Sequence, residues 1–230
     1  QVGWLMAVGS ALWIGVIAGL LVLSASFVRH RAEISRRLQG VQQALVRSER
    51  EARHDALTGL ANRRVLDGDL REAIRFVRSG GAPFALHLVD VDGLKTVNDR
   101  YGHAAGDALL TAVAAALTRS VRAHDLVARF GGDEFAVIQR DAAPATVRAL
   151  ARRLTEAVAR STVLDGDATV VPEVSVGSAI YIDEGDDAIT LVRAADARLY
   201  AQKRRRRGRN RRREAAVAER QQRLLVGDRS

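Results

Sequence analysis

Residues 1–28 contain no charged side chain, and no other feature restricts the chain's folding choices as strongly. As a helix at 1.5 Å per residue, Trp4 to Phe27 is long enough to cross about 30 Å of hydrocarbon. A secretory signal peptide would need a basic start and a shorter apolar stretch, and a buried soluble helix rarely stays apolar on every face for this length. The favoured reading is a transmembrane helix over residues 1–28.

Arg29, His30, Arg31, Arg36 and Arg37 follow at once, and no positive charge precedes the span. The positive-inside rule then places everything beyond Val28 in the cytoplasm, after a single pass through the membrane. A first residue of Gln, not Met, adds the expectation of a C-terminal piece of a longer protein. Ile34, Leu38, Val41 and Leu45 step by four, three and four, the seam spacing of a two-helix coiled coil. Residues 29–53 are therefore expected to form a helical dimer stalk, the alternative being one amphipathic helix packed on its own domain.

What remains of the 230 residues suffices for one domain of ordinary size, and 47% apolar content can fill its core. Without cysteine there is no disulfide, thiolate metal site or cysteine nucleophile. The net charge of +9 equals the nine Lys and Arg between Lys203 and Arg213, so the basicity belongs to a tail at 204–230 and its boundary, not to the domain.

Within 54–203 the periodicities predict a helix over Asp67 to Val77, a strand over Phe84 to Val91 and a helix over Ala104 to Val121. Leu126 to Phe130 and Glu134 to Gln139 flank Gly131-Gly132 as a hairpin. A helix over Pro144 to Arg160, one long strand or a strand pair over Val170 to Ile182, and a helix over Ala188 to Lys203 complete the order. This βαββαβ alternation predicts an α+β sandwich with a central, mainly antiparallel sheet.

Asp90-Val91-Asp92 closes the first strand and Asp133-Glu134 sits at the hairpin turn, so two acidic clusters would converge if those strands are neighbours. Carboxylates that converge repel unless a cation lies between them, and hard oxygen donors suit Mg²⁺ shared with substrate phosphates. Lys95 would stand just beyond, and Gly131 and Gly132 would permit close backbone approach. Singly, each of these features is also ordinary turn chemistry.

Gly131-Gly132-Asp133-Glu134-Phe135 is the complete signature of the GGDEF diguanylate cyclases. Asp55 to Arg64 resembles that family's opening motif, and Asp90 to Asp107 its nucleotide block. Val174 to Gly177 and Ala195-Asp196 to Tyr200 are similar as well, in the family's order over about 150 residues. The resemblance implies a nucleotidyl-cyclase-like fold and the joining of two GTP molecules into cyclic di-GMP with loss of pyrophosphate.

The resemblance further implies roles for individual residues. Asp90, the Val91 carbonyl and Asp133 would hold two Mg²⁺ or Mn²⁺ per active site, with Glu134 near the reacting 3′-hydroxyl. Asn98 and Asp107 would pair with guanine, Lys95 and Lys203 would neutralise phosphate charge, the amides after Val91 would cradle the β-phosphate, and Gly131 and Gly132 would let the backbone approach the substrate. Each domain would carry one GTP, making a homodimer through stalk and catalytic domains a requirement. Arg122 and Asp125 resemble the family's RxxD inhibitory site for cyclic di-GMP, a surface ion pair being the plainer alternative.

The chain departs from the family where Leu94 replaces a usual Phe, where Gly93 replaces a bulky residue, and where Lys203 and Gly208 lie five apart instead of three. The last leaves Lys203 or Arg205 for the conserved lysine's role, with Lys203 preferred from its distance to Tyr200. Two rival functions stay open: a catalytically dead nucleotide-binding effector, and a tethered nucleic-acid or anionic-lipid binder using the arginine-rich tail. Nucleic acid is not the expected partner, because the tail lacks interleaved aromatics. His54, His87, His103 and His124 form no ligand pair at helical spacing, which argues against zinc.

Overall fold

The structure, a computed structural model, describes residues 52–165, 168–182 and 187–227. The predicted transmembrane span and all but the last two residues of the predicted stalk lie outside the described residues. Among the described residues no helix is long and apolar enough to cross a membrane. Residues 1–52 and 53–230 form two separate compact units, and only the second is described in detail below.

Asn62 starts the first helix, α1 (Arg63–Arg78), by accepting the Val65 amide at 3.2 Å. The chain then enters β1 (Ala85–Asp92), whose residues are almost all buried, as befits a strand covered on both faces. Two helices follow, α2 (Leu94–Tyr101) and α3 (His103–Ser120). Next come the hairpin strands β2 (Leu126–Arg129) and β3 (Glu134–Gln139) and helix α4 (Pro144–Ala159). A small hairpin, β4 (Val163–Asp165) and β5 (Ala168–Val170), precedes β6 (Glu173–Ile180) and the long helix α5 (Ala188–Gly227). Asp187 caps α5 by accepting the Thr190 amide at 2.7 Å.

The main sheet has the order β2-β3-β1-β6 and every pairing in it is antiparallel. Alternation along the strands divides the core. Leu86, Leu88, Ala136, Ile138 and Ala179 face α1 and α5, where Leu70, Ile74, Leu191 and Ala195 meet them. Val89, Val91, Phe135, Val137, Val174 and Val176 face α3 and α4, where Leu109, Val113, Leu117, Leu150 and Leu154 meet them.

Beyond shifts of one to four residues at element ends, three features differ from the sequence expectation. Helix α2 is additional, because its eight residues, with Lys95, Asp99 and Arg100 among them, are too few and too polar to show a period. The stretch around Val170 divides between β5 and β6, and only β6 joins the main sheet. Helix α5 also passes through Lys203 and runs on to Gly227.

His87 is fully buried on the α3/α4 face of β1, where its Nδ1 pairs with the Ser178 hydroxyl at 2.8 Å and its Nε2 with Gln139 Oε1 at 3.0 Å. Burial pushes its pKa down from 6.5 to about 4, the hydrogen bond to Gln139 and the charge of Asp125 opposing the shift. The unfolded chain therefore binds a proton between pH 6.5 and about 4 that the folded chain refuses. Stability is fully present above pH 6.5 and is expected to fall by up to about 3 kcal/mol as pH drops to about 4. Urea unfolding at pH 7, 5 and 4 should show this slope, and His87→Gln should flatten it.

Candidate functional site

The two acidic clusters meet because β1 and β3 pair in a register that sets Asp90 opposite Glu134. One residue further, the Val91 amide donates to the Asp133 carbonyl at 3.0 Å. The N–H and C=O of a strand residue point to the same side, so the Val91 carbonyl also faces the glycine turn. Asp90 and Asp92, two residues apart, share the sheet face that α5 covers.

Helix α5 answers those carboxylates with cations. Lys203 Nζ lies 2.5 Å from Asp90 Oδ2, with the Asp90 side chain only 9% exposed. Arg206 Nη1 lies 3.2 Å from Asp92 Oδ2 and its Nη2 2.7 Å from Glu173 Oε2. The Ser175 hydroxyl also donates to Asp92 at 2.9 Å. Burial raises the Asp90 carboxyl above the usual carboxylate range, and the nearby charges of Asp133 and Asp92 add to this while Lys203 opposes it. Asp92 is likewise raised by burial, against the pull of Ser175, Arg206 and Lys203.

A cavity of about 370 Å³ opens over this edge, lined by Asp90, Val91, Lys95, Asp133 and Lys203 among the residues singled out from the sequence. It is also lined by Glu173, Arg206 and Arg207, which the sequence reading did not select. Arg206 and Arg207 were hidden in a run of arginines whose side chains look solvated one by one, yet the Arg206 side chain is 16% exposed. Arg205 is exposed and does not line the cavity, so Lys203 is the residue that reaches Asp90.

Gly93, at φ +79°, stands between β1 and α2. That left-handed backbone favours glycine, which accounts for the small residue where the family has a bulky one. Helix α2 carries Asn98 against α3, and a Cβ on Gly106 would collide with the Asn98 side-chain oxygen, which is buried and unpartnered. Asp107 follows on α3 and is exposed. Asn98 and Asp107 thus stand together, outside the lining of the cavity. Glu134 is exposed and folds over Gly131, where a Cβ would meet it.

At the far end of the hairpin, Asp125 accepts the Arg122 amide at 2.9 Å and the Arg140 amide at 3.0 Å, with its side chain 1% exposed. Its carboxylate shapes the turn, and Arg122 is the exposed member of the pair. Beside this turn lies a cleft of about 320 Å³ lined by Arg119, Arg153 and Arg160, with Arg153 Nε donating to the Ser120 carbonyl at 2.7 Å.

Among the described residues no group of three or more His, Cys, Asp or Glu could hold a metal ion by itself. Of the carboxylates lining the cavity, Asp92 and Glu173 are engaged by Arg206, and Asp90 and Asp133 with the Val91 backbone form a hard-oxygen set that needs further oxygens from a substrate. An ammonium already stands against Asp90, so a cation suits the place electrostatically.

Behind the glycine turn, Arg129 donates from Nη1 to both oxygens of Asp55, at 3.0 and 3.2 Å. It also donates from Nη2 and Nε to the Gly132 carbonyl, at 2.7 and 3.2 Å. Burial alone would raise the Asp55 carboxyl, but hydrogen bonds from Thr58 and then Arg129 hold it below the usual range.

The model of the "Diguanylate cyclase, GGDEF domain" family matches residues 52–211. MucR of Pseudomonas aeruginosa, described as a bifunctional diguanylate cyclase/cyclic di-GMP phosphodiesterase, is 36% identical over 205 residues, covering 87% of this chain and 29% of MucR. Among solved structures, the GGDEF domain of TpbB from P. aeruginosa superposes with a TM-score of 0.63 at 36% identity, covering 66% of this chain and 89% of that one. The coiled coil and GGDEF domain of DgcB from Caulobacter crescentus, in complex with c-di-GMP, reaches a TM-score of 0.67 at 30% identity, covering 79% and 94%. The chain belongs to the GGDEF domain family of diguanylate cyclases. It spans between 14% and 36% of the length of curated relatives it matches.

Removing the fork that joins Asp55 to Gly132 should be costly. Arg129→Ala is expected to lower unfolding free energy by about 1–3 kcal/mol, and Arg129→Lys to recover little, since lysine has no fork. An unchanged denaturation midpoint in Arg129→Ala would remove the anchor assigned to this residue.

Proposed function

We propose that this chain is a diguanylate cyclase that condenses two GTP into cyclic di-GMP with release of two pyrophosphates. The observation that carries the reading is the single cavity in which Asp90, the Val91 backbone and Asp133 face Lys95 and Lys203. Two acids beside two ammonium groups match a polyphosphate that arrives with its own divalent cations.

Asp90, Asp133 and the Val91 carbonyl are the residues that would hold Mg²⁺ or Mn²⁺, two per site. Such ions, when bound, stabilise charge on the attacking and leaving oxygens of a phosphoryl transfer. Lys95 and Lys203 neutralise the phosphates, for which Lys203 leaves Asp90. The amide and carboxylate of Asn98 and Asp107 pair with the donor and acceptor edge of guanine, an edge that adenine does not present. Glu134, exposed beside the glycine turn, is assigned a place near the reacting 3′-hydroxyl.

Closing the ring takes two attacks by a 3′-oxygen on an α-phosphorus, so two domains meet face to face as a homodimer. A stalk over 29–53 and a single transmembrane helix over 1–28 would keep the domains concentrated at the cytoplasmic side of an inner membrane. Product inhibition is assigned to Arg122 and Asp125, the Arg122 guanidinium meeting phosphate from the turn that the Asp125 carboxylate shapes.

The test is incubation of the full chain, in detergent micelles, with GTP and Mg²⁺, following cyclic di-GMP and pyrophosphate together. Asp133→Asn is expected to lower the rate by about 10²–10³, the usual cost of losing one charge-stabilising group in a phosphoryl or acyl transfer site. Equal product from Asp133→Asn would sink the site assignment, and no product from the unaltered chain would favour a nucleotide-binding effector. Arg122→Ala is expected to raise the inhibition constant for cyclic di-GMP by about tenfold or more, as loss of a charge-assisted contact predicts.

A further inference from the structure

Strand β6 is an edge strand, paired with β1 on one side only. Its other side would expose unpaired backbone groups were it not for α5. Arg198 Nη1 donates to the Ser178 carbonyl at 2.7 Å, Gln202 Oε1 accepts the Val176 amide at 2.5 Å, and Arg206 Nη1 donates to the Val174 carbonyl at 2.7 Å. The contacts advance four residues on the helix for every two on the strand, in opposite directions. Four helical residues rise about 6 Å and two strand residues about 6.6 Å, so the strides match. At Gly177 a Cβ would stand 2.1 Å from the Ala195 carbonyl oxygen, so helix and strand backbones are in direct contact there.

Lys203 lies between the last two of these contacts, and Arg206 also grips Asp92 and Glu173. We propose that Arg198, Gln202 and Arg206 form a register ladder, and that Arg206, its last rung, is a positioning residue that fixes Lys203 at the phosphate cavity. The inference rests on the cyclase reading and extends it to the run of arginines where the chain departs from the family pattern. A slip of one residue turns a helix by about 100°, which would carry Lys203 away from Asp90. Arg206 also keeps Asp92 turned to Ser175, so that this second carboxylate does not draw Lys203 from Asp90.

The experiment measures the affinity of the full chain for a non-hydrolysable GTP analogue with Mg²⁺, beside thermal unfolding, in Arg206→Ala, Arg206→Lys and Arg198→Ala. Arg206→Ala is expected to weaken binding by about tenfold, the scale of one charge-assisted contact, and Arg206→Lys to restore part of it. Arg198→Ala removes a rung far from the cavity, and its affinity is expected to stay within about twofold, well below that scale. Lowered melting temperature with unchanged affinity in Arg206→Ala, or equal loss of affinity in both alanine variants, would overturn the positioning role. A wild-type chain that binds no guanine nucleotide overturns the cyclase reading and the positioning role together. Faster amide exchange at Val176 in Arg206→Ala would then still report the ladder alone.

Discussion

The site depends on one backbone pairing, the antiparallel register of β1 against β3. That register places Asp90 across from Glu134 and ties the Val91 amide to the Asp133 carbonyl. A shift of one residue would exchange the two faces of β1, burying Asp90 among Leu109 and Leu117 and turning Val89 and Val91 toward the cations of α5. The hydrophobic alternation that builds two cores is therefore the same constraint that sets the carboxylates, because the register cannot slip without exposing valines and burying acids.

The electrostatics follow from that placement. Asp90, Asp92 and Asp133 crowd one sheet end, and burial raises the carboxyls of Asp90 and Asp92, helped by the charges of Asp133 and Asp92 at the first and of Glu173 at the second. Lys203 and Arg206 answer this pair by pair. The two cations differ in commitment. Lys203 makes one ion pair from a flexible stem. Arg206 is held by a carbonyl and two carboxylates at once, as a planar fork allows. Arg206 thereby holds this stretch of the helix in place beside the less constrained Lys203.

Much of this was legible in the sequence for a physical reason. The run from Phe84 to Val91 ends in acids, and Gly131-Gly132 breaks the hairpin at the matching place, so pattern and turn chemistry both pointed to convergence. Lys95 lines the cavity, while Asn98 and Asp107 lie on α2 and α3 outside its lining, and α2 itself was too short to show a period. The partners that hold the site in place were not legible. Arg129 touches Asp55 across 74 residues, and Arg206 reaches Val174 across 32. Contacts at that separation leave no local period, and a composition reading assigns a run of arginines to solvent.

Asp55 shows how far such a hidden contact extends. The turn from Asp55 to Leu60 is closed by its own backbone bonds, with the Asp55 amide donating to the Leu60 carbonyl at 2.8 Å, and the Ala61 carbonyl then accepts the Arg129 amide at 2.9 Å. Arg129 carries the linkage onward to the Gly132 carbonyl, next to Asp133. The N-terminal turn of the domain and the glycine turn beside Asp133 are thus joined through one guanidinium. A displacement of the chain at residue 53 cannot be absorbed in between without breaking charge-assisted hydrogen bonds, which are the stronger kind. The opening motif of the domain therefore acts as a mechanical support for the glycine turn, and this is why its aspartate belongs to the site although it lies outside the cavity.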